Sequence, residues 1–210
     1  MSNINHPIFA RFYKWLSPLA EKAGSADHRE KLLSGTFGNI VEVGAGSGAN
    51  FSHYPSAVSK VIAVEPEPTL RKEAVRVSRN LSIQIEVVDG TSENLPVEDN
   101  WADFVIFSLV LCSIENVNAA LAQAKRVLAD SGKILVYEHV RSDNPKEARR
   151  QDLVNRIWPL FLGGCNCNRD TPSIIQNSGF QILTLDSFRF KPTKIWIPME
   201  PHVILSATAI

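Results

Sequence analysis

Residues 41–50 read Val41-Glu42-Val43-Gly44-Ala45-Gly46-Ser47-Gly48-Ala49-Asn50, an apolar run that breaks into three glycines spaced by single residues. Such a run, beginning near Asn39, suits a strand buried on both faces, and the glycines let the backbone turn tightly and come close to a ligand beside a helix N-terminus. Outward from it, Lys60 to Val64, Ile83 to Val88, Phe104 to Phe107 and Lys133 to Tyr137 are further short runs rich in Val and Ile. Between them lie helical patterns at Pro68 to Arg79 and at Asn116 to Ala129, the latter with Val117, Ala120, Leu121, Ala124, Val127 and Leu128 on one face. This alternation predicts an α/β fold with a doubly wound, mostly parallel sheet. Its ligand should lie beyond the C-terminal strand ends, at the switch point beside the first strand.

The flanks extend this core. Ile8, Phe9, Phe12, Trp15, Leu16 and Leu19 recur at helical spacing, and a second short helix is expected over Asp27 to Leu33, so residues 1–37 read as an N-terminal helical cap or lid. After the core at 38–140, the stretch 141–210 predicts a polar helix at Pro145 to Trp158, a Gly/Cys/Asn segment at Gly163 to Asn168 and a helix at Thr171 to Ser178. Strands at Phe180 to Phe190 and His202 to Thr208 should then form an antiparallel hairpin at the sheet edge, giving seven strands in one domain. The 210 residues carry 22 Lys+Arg against 22 Asp+Glu, a formal net charge of zero. That balance excludes a partner held mainly through nucleic-acid phosphates. Three cysteines are too few for a disulfide framework and indicate a reducing, cytoplasmic setting. The N-terminus lacks a secretory pattern, and the longest uncharged apolar run, Phe104 to Ile114, falls short of the roughly 20 residues a bilayer requires, so no integral membrane segment is expected. The oligomeric state is left open.

Gly44, Gly46 and Ala49 also fit a loose dinucleotide-binding pattern, and both nucleotide readings want an acidic side chain such as Glu65, 21 residues after Gly44, for ribose hydroxyls. Three later segments decide between them: Gly90-Thr91-Ser92-Glu93-Asn94-Leu95-Pro96, Asp103-Phe104-Val105, and Arg126-Val127-Leu128 leading to Gly132-Lys133. In this order, with Glu42 to Gly48, they resemble the class I S-adenosylmethionine-dependent methyltransferases of the type 11 group, which implies a Rossmann-like sheet and S-adenosylmethionine as cofactor. Ser108 to Ser113, Glu138-His139-Val140, Trp158, Gly164-Cys165, Arg169, Trp196-Ile197-Pro198 and Pro201-His202 narrow the resemblance to the methyltransferase-like alkyl-thiol S-methyltransferases and their bacterial relatives. The animal members carry a hydrophobic membrane anchor that this sequence does not match.

The resemblance implies a small-molecule methyl acceptor, a thiol in first place. C- or O-methylation of a quinone-like, phenolic or lipid acceptor and a non-catalytic cofactor-binding protein remain alternatives. It places the methionine end of the cofactor against Gly44, Ala45, Gly46, Ser47 and Gly48, with Asn50 also on the cofactor and Glu42 either ordering that loop or meeting the cofactor's cationic part. The ribose falls on Glu65, the adenine near Pro66, Ser92 and Glu93, and the methyl donor beside Ser108 and Leu109. His139 is the candidate base, because it follows the fifth strand on the ligand edge and an imidazole titrates near neutrality. Tyr13, Trp158, Cys165 and Arg169 are the candidate acceptor-side residues. Cys165-Asn166-Cys167 supplies at most half a metal site with no evident Cys or His to complete it, so no metal is expected.

Overall fold

The computed structural model describes residues 21–191 and 197–210. The expected helix around Phe12 and Trp15, the candidate Tyr13, and Trp196 lie outside the described residues. Seven strands form one sheet: β1 (Gly38–Val43), β2 (Val58–Val64), β3 (Gln84–Val88), β4 (Ala102–Ser108), β5 (Leu128–His139), β6 (Phe180–Arg189) and β7 (Pro201–Ala209). Their order is β3-β2-β1-β4-β5-β7-β6, with β7 antiparallel to both of its neighbours and every other pair parallel. The chain winds from β1 through β2 to β3 in one direction and from β4 through β5 in the other. The crevice between β1 and β4 is therefore the switch point.

Each strand of the central trio is apolar on both faces because both faces are covered. Helix α1 (Ala26–Leu33) puts Leu32 and Leu33 into one core cluster, together with Ala74 of α2 (Pro68–Ser78), Phe51, Tyr54, Ile40 and Ile106. Helix α3 (Val117–Val127) turns Val117, Ala120, Leu121, Ala124 and Val127 onto the opposite face, with Val41, Val105 and Ile134 and with Ile175 of α6 (Thr171–Asn177). Start signals are local: Glu67 accepts a hydrogen bond from Leu70 N ahead of Pro68, and Asn116 accepts one from Ala119 N.

Two expected boundaries move. Helix α3 stops at Val127, because Leu128 turns extended and pairs with Ala102 before a bulge lets Lys133 rejoin β4. The polar helix expected to reach Trp158 ends as α4 at Pro145–Val154, followed by a single turn, α5 (Trp158–Phe161). Pro159 explains the break: it has no N–H for the Asn155 carbonyl, and its ring would collide with that carbonyl in a continuous helix.

The first glycine of the loop is fixed by space as well as by backbone angle. Gly44 has φ +67°, and a Cβ there would fall 2.3 Å from Val110 Cγ2. Gly44→Ala is expected to destabilise the fold by about 2 kcal/mol. Urea denaturation checks this, and an unchanged midpoint would contradict it.

Candidate active site

Beyond the C-terminal ends of β1, β2 and β4 opens a cleft of about 580 Å³, inside the roughly 300–1,000 Å³ usual for small-molecule sites. Gly44 and Gly46 border it from the β1 loop, Glu65 and Pro66 from the end of β2, Ser92 and Glu93 from the segment after β3, and Ser108 and Leu109 from β4. Arg169 stands on the far wall with Val110, Ser113, Ile114, Glu115, Gly164 and Asn166. Ala45, Ser47, Gly48, Glu42, Asn50, Trp158, Cys165 and His139 do not border it.

Glu65 is the anionic group of the near end. Its side chain is buried, with Oε2 accepting the Gly46 N–H at 2.7 Å and Oε1 accepting the Glu67 N–H at 2.9 Å. A carboxylate offers about four lone-pair positions, so two remain for a vicinal diol facing it from the cleft. Burial pushes the Glu65 carboxyl above its ordinary range, against the pull of those two N–H donors. Arg71 fixes the approach by donating to the carbonyls of Glu65 and Pro66 at 2.7 and 2.9 Å and pairing with Asp89.

Beneath the glycine loop lies a polar network that supports the loop and reaches the cleft only at Ser108. Glu42 accepts hydrogen bonds from the Tyr54 hydroxyl at 2.7 Å and from Asn50 Nδ2 at 3.0 Å. Arg29 Nη1 donates to Asn50 Oδ1 at 2.8 Å and to Ser108 Oγ at 2.9 Å, and its Nε pairs with Glu21. The network thus ties the β1 loop to the end of β4 and to the segment preceding α1. Arg29 carried no motif; its signal is only a charged residue among the apolar positions of a short helix. Burial pushes the Glu42 carboxyl up to about 7, opposed by Tyr54, Arg29 and Asn50.

On the far side, Leu109 takes φ +55°, a left-handed conformation a leucine adopts only when its surroundings impose it, and its N–H is held by the Tyr137 carbonyl at 2.7 Å. The turn directs Val110, Ser113 and Ile114 along the cleft. Arg169 does not pair with Asp170 or Glu138 as its position suggests: its Nη1 donates to the carbonyls of Leu111 and Ile114, so it braces that turn. Asn166 does the same on that wall, donating from Nδ2 to the carbonyls of Cys112 at 3.1 Å and Gly164 at 2.9 Å.

Two expectations need correction. His139 does not face the acceptor space: it is 4% exposed and sits behind the wall, with Nε2 3.2 Å from the Cys165 thiol and 3.7 Å from Glu138 Oε1. Cys165 likewise lies behind the wall rather than on it. The expectation that no Cys or His approaches Cys165 also fails, because Cys112 and His139 bring their side-chain atoms within 4.8 Å of its sulfur and of each other. The physical reason is register. Ser108 of β4 pairs with Tyr137 of β5, so residues following the two strands meet although they are far apart in sequence. The hydrogen bond with Cys165 and then burial drive the Cys112 thiol upward, burial drives the Glu138 carboxyl upward, and His139 is pulled down by burial and, more strongly, up by Cys112 and Glu138.

The Methyltransferase domain family matches residues 41–136. Thiol S-methyltransferase TMT1B of Mus musculus is 30% identical over 208 residues, covering 93% of this chain and 84% of that protein. Its counterpart in Rattus norvegicus is 31% identical, covering 94% and 81%. The chain belongs to this methyltransferase family. By contrast, the ubiquinone/menaquinone biosynthesis C-methyltransferase UbiE of Shewanella sp. (strain ANA-3) aligns with 58% of the methyltransferase at 26% identity. Among solved structures, a Thermotoga maritima protein described as an S-adenosylmethionine-dependent methyltransferase shares the fold over 96% of this chain, at TM-score 0.71 and 21% identity. Geranyl diphosphate methyltransferase in complex with S-adenosylmethionine does so over 90%, at TM-score 0.68 and 12% identity. The methyltransferase uses S-adenosylmethionine, and the cleft suits it: a carboxylate with two open lone pairs for a diol, and a glycine turn too close-packed at Gly44 to admit a side chain.

Because the folded methyltransferase holds the Glu42 proton more tightly than the unfolded chain does, this group favours folding below its ordinary value of 4.5. That advantage is lost as pH rises through about 7. Glu42→Gln should remove this contribution, of the order of 3 kcal/mol, and flatten the fall in stability across that window. Denaturant midpoints measured over the same range check it, and parallel falls in both proteins would contradict it.

Proposed function

We propose that this methyltransferase transfers the cofactor's methyl group to the sulfur of a small, largely apolar thiol. The observation that carries the reading is the extent of the match to the thiol S-methyltransferases, which covers 93–94% of this chain against 58% for the UbiE relative. The cleft supports it. Beyond Glu65 its wall is built by Leu109, Val110 and Ile114, and among the described residues no imidazole opens onto it. A thiol, with an ordinary pKa of about 8.5, is already partly ionised near neutral pH and needs little help from a base. A hydroxyl acceptor would need a strong one.

The bound sulfonium supplies an activated methyl group for in-line displacement. This chain's residues bind and align: Gly44 and Gly46 take the amino-acid end, Glu65 the ribose, Pro66, Ser92 and Glu93 the adenine edge, and Ser108 and Leu109 flank the transferred carbon. The walls of Ser113–Glu115 and Gly163–Asn166 exclude water from the acceptor, which is most of what such a displacement requires. Arg169 keeps those walls in place, and Trp158 supports them from outside the cleft. No described helix is long and apolar enough to cross a membrane, and the three cysteines are free. Both facts agree with a single domain acting on small molecules in a reducing compartment, the cytoplasm in our reading.

Two experiments test this. In a labelled-methyl assay against alkyl thiols, hydrogen sulfide, phenols and quinols, turnover should appear on thiols, whereas turnover of a phenol or quinol with none on any thiol would overturn the acceptor assignment. Glu65→Ala should weaken cofactor binding by roughly 1.5–3 kcal/mol, the worth of hydrogen bonds to a charged group. Unchanged affinity in calorimetry would remove Glu65 from the ribose.

A further inference from the structure

Three stretches distant in sequence put soft donor atoms at one buried point. Cys112 follows β4, His139 ends β5 and Cys165 lies in the turn after α5, yet their ligand atoms all fall within 4.8 Å of one another and all three side chains are buried. Cys165 Sγ is 3.2 Å from His139 Nε2 and 4.0 Å from Met199 Sδ, and Glu138 Oε1 is 3.7 Å from the same imidazole nitrogen. We propose that Cys112, His139 and Cys165 form a structural site for one zinc-class divalent cation.

The donor chemistry is selective: two thiolates and an imidazole match zinc, whereas hard cations prefer all-oxygen sets. Zinc bonds of about 2.3 Å to sulfur and 2.0–2.1 Å to nitrogen place tetrahedral donors roughly 3.5–3.8 Å apart. The observed donor atoms lie within 4.8 Å of one another, with Cys165 Sγ 3.2 Å from His139 Nε2. Charge closes as well. Binding releases both thiol protons to solvent, so two thiolates neutralise the dication.

Position indicates the purpose. None of the three donors borders the cleft, but Ser113, Gly164 and Asn166, their immediate neighbours in sequence, do. A closed site here would bolt together the β4 turn, the end of β5 and the glycine turn that make the acceptor wall, leaving the cofactor end untouched. This inference does not depend on the acceptor being a thiol.

Cobalt(II) and zinc added to the reduced, full-length protein test it. Elemental analysis after dialysis should give one zinc per chain. Cobalt should produce a thiolate-to-metal charge-transfer band with tetrahedral d–d bands, bleached by zinc. Cys165→Ser should weaken cobalt binding at least tenfold and abolish the rise in thermal midpoint that zinc gives the wild type. Cys167→Ser, whose thiol faces the Gln151 carbonyl at 3.7 Å, should keep both. Should Cys165→Ser fail to fold, the wild-type cobalt spectrum and its zinc displacement still decide. Substoichiometric zinc, no charge-transfer band in the folded wild type, or a band that survives Cys165→Ser would overturn the proposal.

Discussion

A buried carboxylate joining two strand ends organises the cofactor half of this molecule. Glu65, at the end of β2, accepts the Gly46 N–H from the loop after β1 and the Glu67 N–H ahead of α2. That arrangement is possible only because β1 and β2 are parallel and in register through Val43 and Val64, which brings both chain exits to one edge. Burying a carboxylate is costly unless its oxygens are hydrogen-bonded, and two backbone donors offset that cost while leaving acceptor capacity open to the cleft. The same group therefore shapes the loop and presents its remaining acceptor capacity to the cleft that the loop borders.

A second polar system holds the loop from below. Glu42, Tyr54, Asn50, Arg29 and Ser108 form a chain of hydrogen bonds from the segment before α1 to the end of β4. It crosses the switch point, so the distance between the glycine loop and the β4 turn is set by side chains rather than by loop flexibility. The acceptor wall depends in turn on backbone carbonyls captured by Arg169 and Asn166. Alignment of donor and acceptor is the main demand of an in-line methyl transfer, and both halves of the cleft are braced for it.

Much of this was legible in sequence for specific reasons. Strands β1, β2, β4 and β5 declared themselves because a parallel sheet covered on both faces demands apolar side chains at every position. The hairpin of β6 and β7 followed from two runs separated by a short loop. Glu65 and the glycines stand out because a nucleoside needs a carboxylate and a close backbone at a fixed separation, and the structure puts Gly44, Gly46 and Glu65 on one cleft. The helix break at Pro159 was overlooked although proline announces it. What sequence did not display was lateral register: that Ser108 faces Tyr137, and hence that Cys112 meets His139, is a property of the folded sheet.

The central claim is that the Glu65 end of the cleft holds the nucleoside and thereby points the transferable methyl group at the wall formed by Leu109, Val110 and Ser113. A crystal structure of the enzyme with S-adenosylhomocysteine tests it most directly. The account predicts both ribose hydroxyls within hydrogen-bond distance of Glu65 and the thioether sulfur facing Leu109 and Val110. A nucleoside bound away from Glu65, or a sulfur turned from that wall, would contradict it.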